Sequence, residues 1–359
     1  MGLSLSVAAC GAVSAVGLTA PQTCAAIRAG ISRFHDVFSL PPPAEPLVGA
    51  RIPASPRLTR SPSSWLLHLS ARAIGECLCL DRADRTALIV GLPEAFRKHP
   101  ALAAGGAGFL EGIQKYLGVR FHPASRPLQL GPAGTAHGLA VARELLGQGA
   151  VEDCIVGGVD SLINERDLAR LRESFRLHGP NQAQGAIPGE GASFLRVTTD
   201  ARSQPALARV VGIGLGMEPD TVLGERYSQG RGLLSALDEA LRDAEVPEGE
   251  IAFRVSDVNG ERYRFWESVL AECRFYRTRR ESFPVWYLAA SVGDLGAAAG
   301  ALSIVASATA IARGYAPGAY AMCEASSDEG LRGACLIAPA RGARHPPFKD
   351  SWESPHGIA

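Results

Sequence analysis

The residues able to do chemistry in this chain gather in a few segments of its second half. Asp257, Glu261, Arg262 and Arg264 surround the end of an apolar run, Asp294 precedes a long stretch of small residues, and Asp328-Glu329 falls in a polar turn. Paired carboxylates beside arginines, if they converge, would permit acid–base hydrolysis. The plainer reading of the same residues is a set of salt bridges plugging an interior space. His137 is a candidate base, but it sits one turn into a Gly- and Ala-rich segment, where a satisfied core histidine is the simpler explanation. Thr135 is the nearest hydroxyl and has no base placed for it. The eight cysteines are mostly single and set in apolar runs, which reads as buried small hydrophobes in a reducing, cytoplasmic compartment. Cys77-Leu78-Cys79 has no second close pair, so no zinc site is expected.

These residues need a large scaffold. With 359 residues, 47% of them hydrophobic, the chain can bury one large core or two fused modules. Its 36 basic and 36 acidic residues cancel, which gives no support to a nucleic-acid or anionic-surface partner. The apolar start, Met1 to Ala20, lacks a basic leader and reads as a first strand. Leu295 to Ala312 runs without a charge for a membrane-spanning length, but it is mostly Ala, Gly, Ser and Thr, which suits a buried helix better.

Strands are expected at Leu3–Ala9, Thr86–Val90, Cys154–Val156, Ala192–Thr198, Ala206–Gly216, Ala252–Val258, Val285–Ala289, Tyr320–Ala325 and Gly333–Ala338. Helical spacing covers Thr19–Ala29, Trp65–Leu78, Gly230–Ala244 and Tyr263–Phe275. Ser39 to Ser64, rich in Pro, Ser and Arg, reads as a surface loop or lid, and residues 100 to 130 are ambiguous. Two small-residue helices, Ala133–Leu146 and Gly296–Ala312, occupy corresponding places in two similar halves. The expectation is an α/β fold of two pseudo-duplicated halves, residues 1–200 and 201–340, with a tail from 341 to 359.

Four motifs in order give this pattern a likeness. Cys10 to Gly17 forms a glycine turn, and Gly149 to Ser161 contains Cys154-Ile155-Val156-Gly157-Gly158-Val159-Asp160. Ile187-Pro188-Gly189-Glu190-Gly191-Ala192 follows, and then Gly293-Asp294-Leu295-Gly296-Ala297-Ala298-Ala299-Gly300. With these the chain resembles a β-ketoacyl-ACP synthase of the thiolase superfamily over nearly its whole length. The resemblance implies a thiolase-like layered αβαβα fold.

It also implies where the chemistry should be. Such enzymes carry a cysteine at the N-terminus of a buried helix, where the helix dipole favours the thiolate and backbone N–H groups hold the oxyanion. Two histidines and a lysine complete the site. Counting back from Gly157-Gly158 puts the nucleophile position on Pro132 or within one residue of it, where Gly131, Ala133 and Gly134 are equally inert. The first histidine position falls on Asn259, the second on Asp294 and the lysine on Ala289. Glu267 matches an acidic residue further down the first histidine motif, and Ser326 to Gly333 stands where a glycine-rich loop is expected. All four catalytic positions are then replaced, which leaves no covalent chemistry of this kind. The vestigial pocket would comprise Thr135, His137, Glu190, Glu261, Arg262, Asp328 and Glu329.

The expectation is therefore a catalytically inactive, cytoplasmic scaffold without a cofactor. The resemblance offers a type VI secretion effector as the protein it would serve as adaptor. One alternative is a chain-length-factor-like partner of an active ketosynthase. Another is an enzyme that binds acyl-CoA or acyl-ACP and has altered acyl-transfer chemistry. It also implies a homodimer paired near Phe121 to Leu130, a Pro-containing stretch not clearly a strand.

Overall fold

The computed structural model describes residues 3–38, 46–53, 61–180, 182–199 and 205–342. The first half contains β1 (Leu5–Val13), α1 (Ala20–Arg28), β2 (His35–Phe38), β3 (Leu47–Gly49), α2 (Pro62–Cys77), β4 (Thr86–Gly91) and α3 (Gly105–Leu117). It continues with β5 (Arg126–Leu128), α4 (Gly134–Gly147), β6 (Asp153–Ser161), α5 (Glu165–Glu173) and β7 (Glu190–Thr199). The second half contains β8 (Ala208–Met217), α6 (Arg231–Ala244), β9 (Ile251–Ser256), α7 (Arg262–Phe275), β10 (Val285–Tyr287), α8 (Ala289–Val292), α9 (Ala299–Ala312), β11 (Tyr320–Ser326) and β12 (Leu331–Pro339). Local chemistry explains several of these boundaries. Thr19 caps α1 by accepting from the Gln22 N–H ahead of a proline in the first turn, and Asn164 caps α5 by accepting from Asp167.

The main sheet runs β10-β9-β11-β12-β8-β1-β7-β6-β4-β5. Its two halves repeat strand for strand. β4 lies parallel to β5 and β6, as β9 does to β10 and β11. The next two joints, β6–β7–β1 and β11–β12–β8, are antiparallel in both halves. The halves meet where Leu5–Val7 of β1 pairs with Ala208–Val210 of β8. Both outermost strands, β5 and β10, are three residues long.

Helices α2 and α3 cover the outer face of the first half, and α6 with α7 covers that of the second. Between the halves lie α4 and α9, in a core shared by strands of both. Small residues make that middle layer possible. A Cβ on Gly300 of α9 would sit 2.4 Å from the Pro132 carbonyl oxygen, and one on Gly158 of β6 would sit 2.0 Å from that of Ala297. The result is the expected five-layered αβαβα arrangement.

Several local expectations change. Helix α4 begins at Gly134, so Pro132 lies in the turn before it rather than in its first turn. Ala289 opens α8 instead of closing a strand, and Phe121 to Leu130 does contain an edge strand, β5. Residues 105–117 are helical. The uncharged run at 295–312 splits into a short 3-10 turn and the 14-residue α9. Among the described residues no helix is long and apolar enough to cross a membrane. Most cysteines are buried, but Cys273 is exposed on α7. The proposed lid falls partly, and most of the tail falls, outside the described residues.

Candidate functional site

The turn before α4 is held by two distant parts of the chain. Beyond β4, Leu92-Pro93-Glu94 passes close to it, with the Gly131 N–H donating to the Leu92 carbonyl. Gly131 has φ +64°, and a Cβ there would lie 2.8 Å from Glu94 Oε2. From the other side, Ser327 accepts from the Ala133 N–H at 3.1 Å and donates its hydroxyl to the Leu130 carbonyl. The Glu94 carboxylate ties these parts together by accepting from the backbone N–H groups of Asp328 at 3.0 Å and Glu329 at 2.7 Å. Pro132 is thus buried between Glu94, the 327–330 turn and Gly300 of α9.

A continuous polar network extends from this point. Asn259, just after β9, donates to Asp294 at 2.7 Å and to Glu261 at 2.9 Å. Asp294 also accepts from the Gly296 N–H at 2.8 Å. Glu261 receives Arg176 in a two-pronged contact at 2.6 and 3.0 Å, and the same guanidinium grips Asp328 at 2.8 and 2.9 Å. Arg264 adds a bond to Asp328 at 2.7 Å. Fork-to-carboxylate geometry of this kind fixes orientation as well as charge.

Burial and charge set the protonation. Burial alone would raise Asp328, but Arg176 and Arg264 overcome it and hold the carboxyl well below the usual range. Glu94 goes the other way: burial, and then the charge of Asp328, push it up to about 7. Burial likewise raises Asp257 to about 7 against the pull of Arg264, and it raises Asp294 against its two hydrogen-bond donors.

Room inside is small. Asp257, Ala289 and Asp294 line a void of about 20 Å³, and a second of about 10 Å³ adjoins Asp257 and Arg264. Each holds about one water molecule, so among the described residues these two spaces leave no room for an organic substrate beside the carboxylates. On the solvent side, Arg176 and Glu261 line a depression of about 360 Å³ with Phe175, Arg262 and Tyr263.

Of the residues singled out from sequence, the structure joins Asn259, Asp294, Glu261 and Asp328, with Asp257 and Arg264 beside them. Others stand apart. Glu190 accepts from Trp65, Ile52 and Ser161, which makes it a strut between elements of the first half. Arg262 is exposed, because it starts α7 on the solvent side, and Glu329 is exposed and enters the network only through its N–H. Thr135 is buried within α4 with no partner for its hydroxyl, and His137 is half-buried on the same helix. Two central members, Arg176 and Glu94, were not anticipated. Each reaches its partners from far along the chain, and neither lies in a motif.

A second buried arginine lies nearby. Arg97 binds Asp160 at 2.6 and 3.0 Å and Asp167 at 2.8 and 2.9 Å. Asp160 in turn accepts from the Ala297 N–H at 2.9 Å, at the start of the α9 segment.

No family model and no curated protein matches the chain. Solved structures do. The ishigamide ketosynthase/chain length factor matches with a TM-score of 0.72 and 19% identity, covering 94% of this chain and all of that one. A ketosynthase in complex with its chain length factor from Xenorhabdus doucetiae gives 0.75 and 15%, covering 94% and 98%. A structure of a type II PKS acyl-carrier protein in complex with its ketosynthase bound to the hexaketide gives 0.75 and 13%, covering 94% and 100%. At these identities the likeness concerns architecture, and it agrees with the strand order and the paired central helices: the chain adopts the thiolase-like ketosynthase fold.

Proposed function

We propose that this chain is a non-catalytic protein of ketosynthase fold that works by binding a protein partner. The observation that carries this reading is the network Asn259–Asp294–Glu261–Arg176–Asp328. It fills the region to which the resemblance assigns two histidines, with space for about one water beside it. Acyl transfer needs a nucleophile and donors for the oxyanion. Pro132 supplies neither a thiol nor an N–H, and Thr135 has no base hydrogen-bonded to it.

The test is incubation of the purified protein with malonyl-ACP and acyl-ACP, followed by intact-mass measurement and CO₂ detection. Neither acyl-protein nor CO₂ is expected, and reproducible formation of either overturns the reading. The same void argues against the alternative of an acyl-CoA- or acyl-ACP-binding enzyme at this site.

The favoured partner is an active ketosynthase, engaged as a chain length factor would engage it. Support comes from the similar structures in which a ketosynthase is paired with a chain length factor. The resemblance would place that pairing, or a homodimer, beside β5, whose three residues and Pro127 leave few strand bonds, so side-chain contacts would carry most of it. Capture of the native partner with the tagged full chain should recover a ketosynthase. Recovery of a secretion effector instead would favour the adaptor role, which rests on resemblance alone.

A further inference from the structure

At the other end of α9 the fold leaves a groove of about 690 Å³, within the range of small-molecule sites. Its origin is visible in the sheet. β8 begins only at Ala208, so among the described residues β1 beyond Val7 has no strand partner on that side, and its pairing with β7 slips between Val7 and Ala9. Ala8, Ala9 and Cys10 are consequently half-buried although both ends of this inner strand are fully buried. The opening lies between α1 and the last turn of α9. Its lining is mostly apolar, from Cys10, Ala25, Ala29 and Leu207.

The rim is cationic and firmly built. Arg28 lies over the Tyr315 ring at 4.3 Å, and Tyr315 stacks on Trp286 with ring centres 6.5 Å apart. The stacked guanidinium keeps its N–H edge free for an acceptor. Arg313 lines the same groove. Among the described residues neither arginine is in an ion pair. Burial, then the Cys24 thiol, push the Tyr315 hydroxyl up to about 12, while Arg28 and Arg313 pull against them, as expected when both guanidiniums lie near this ring. An apolar floor below two unpaired cations selects for one anionic group on a hydrocarbon body.

We propose that this groove binds an amphipathic anion, its apolar body lying over Cys10, Ala25 and Leu207 and its carboxylate or phosphate held between Arg28 and Arg313. The site is separate from the polar network, since α9, at about 1.5 Å per residue, sets them about 20 Å apart. It does not depend on the partner reading above.

Calorimetric titration of the full chain at moderate salt tests the proposal with octanoate, octyl phosphate, octanol and octyltrimethylammonium. At least one of the two anions should saturate a single site, and the tighter one identifies the headgroup. Octanol should bind at least about tenfold more weakly and the cation not at all. Arg28→Glu should weaken anion binding at least about tenfold, and Ala25→Trp should block the groove without touching the charge. Failure of both anions to saturate, equal binding of octanol, or binding that survives both substitutions in folded protein overturns the proposal. Should Arg28→Glu melt early, Ala25→Trp alone decides.

Discussion

Two buried arginines each hold two carboxylates, and they teach different lessons. Arg97 binds Asp160 on β6 and Asp167 on α5, so both anions are mounted on regular elements of one half. Arg176 sits just past α5 and reaches across to Glu261 and Asp328, which flank elements of the other half. The first joins a strand to a helix. The second joins the halves and fills the space between them. Shared anions also differ: Asp328 keeps Arg264 at 2.7 Å if Arg176 is removed, whereas the completely buried Asp167 keeps, as a cation, only the longer contact to Arg170 at 3.4 Å, and Asp160 keeps backbone N–H donors but no arginine among the described residues.

The comparison can be broken by substitution, and the largest effect belongs to Arg97→Leu. It leaves two fully buried carboxylates without their closest cation, Asp160 with backbone donors alone and Asp167 with the more distant Arg170, and should cost about 3–5 kcal/mol in urea unfolding. Arg176→Leu should cost less, about 2 kcal/mol, because Arg264 and Asn259 still satisfy the anions it leaves. Equal losses would mean that the two clusters do the same structural work.

A pH series sharpens the contrast. Glu94, held near 7 when folded, binds its proton in the native state between about pH 4.5 and 7 while the unfolded chain has released it. Stability from this group is therefore fully present below about pH 4.5 and lost as pH rises through 7, a change on the order of 3 kcal/mol. Asp328 has the opposite sign, and its contribution disappears only on acidification below the ordinary carboxylate range. Glu94→Gln should flatten the upper part of the profile without removing it, because Asp257 and Asp294 are raised in the same direction. An unchanged profile would remove Glu94 from the list of titrating groups. The smallest effect is expected for the exposed Arg262→Ala, within about 0.5 kcal/mol.

Much of the architecture was legible because it rests on local composition. The Ala- and Gly-rich runs of α4 and α9 are what close packing between the two halves of the sheet requires, and Gly300 against Pro132 shows why no larger side chain would fit. The polar network was only half legible. Asp294, Glu261 and Asp328 drew notice through their positions in motifs. Arg176 and Glu94 lie in no motif and carry no spacing signal. Their roles come from contacts such as Glu94 to the Asp328 N–H, 234 residues away, which no spacing rule records. Arg254, in mid-strand yet only 1% exposed, escaped for the same reason: its partner Glu324 lies on the neighbouring strand.

The three-residue strands at both margins of the sheet have a consequence for how the protein behaves at high concentration. An open sheet of ten strands would ordinarily offer two long rows of unpaired N–H and C=O groups, the template on which fibrils grow. Here β5 contains Pro127, which has no N–H to give, and β10 ends after Tyr287 where the chain turns into α8. A foreign strand would find only a few bonds at either margin, so the molecule can carry a wide sheet with little tendency to polymerise through it.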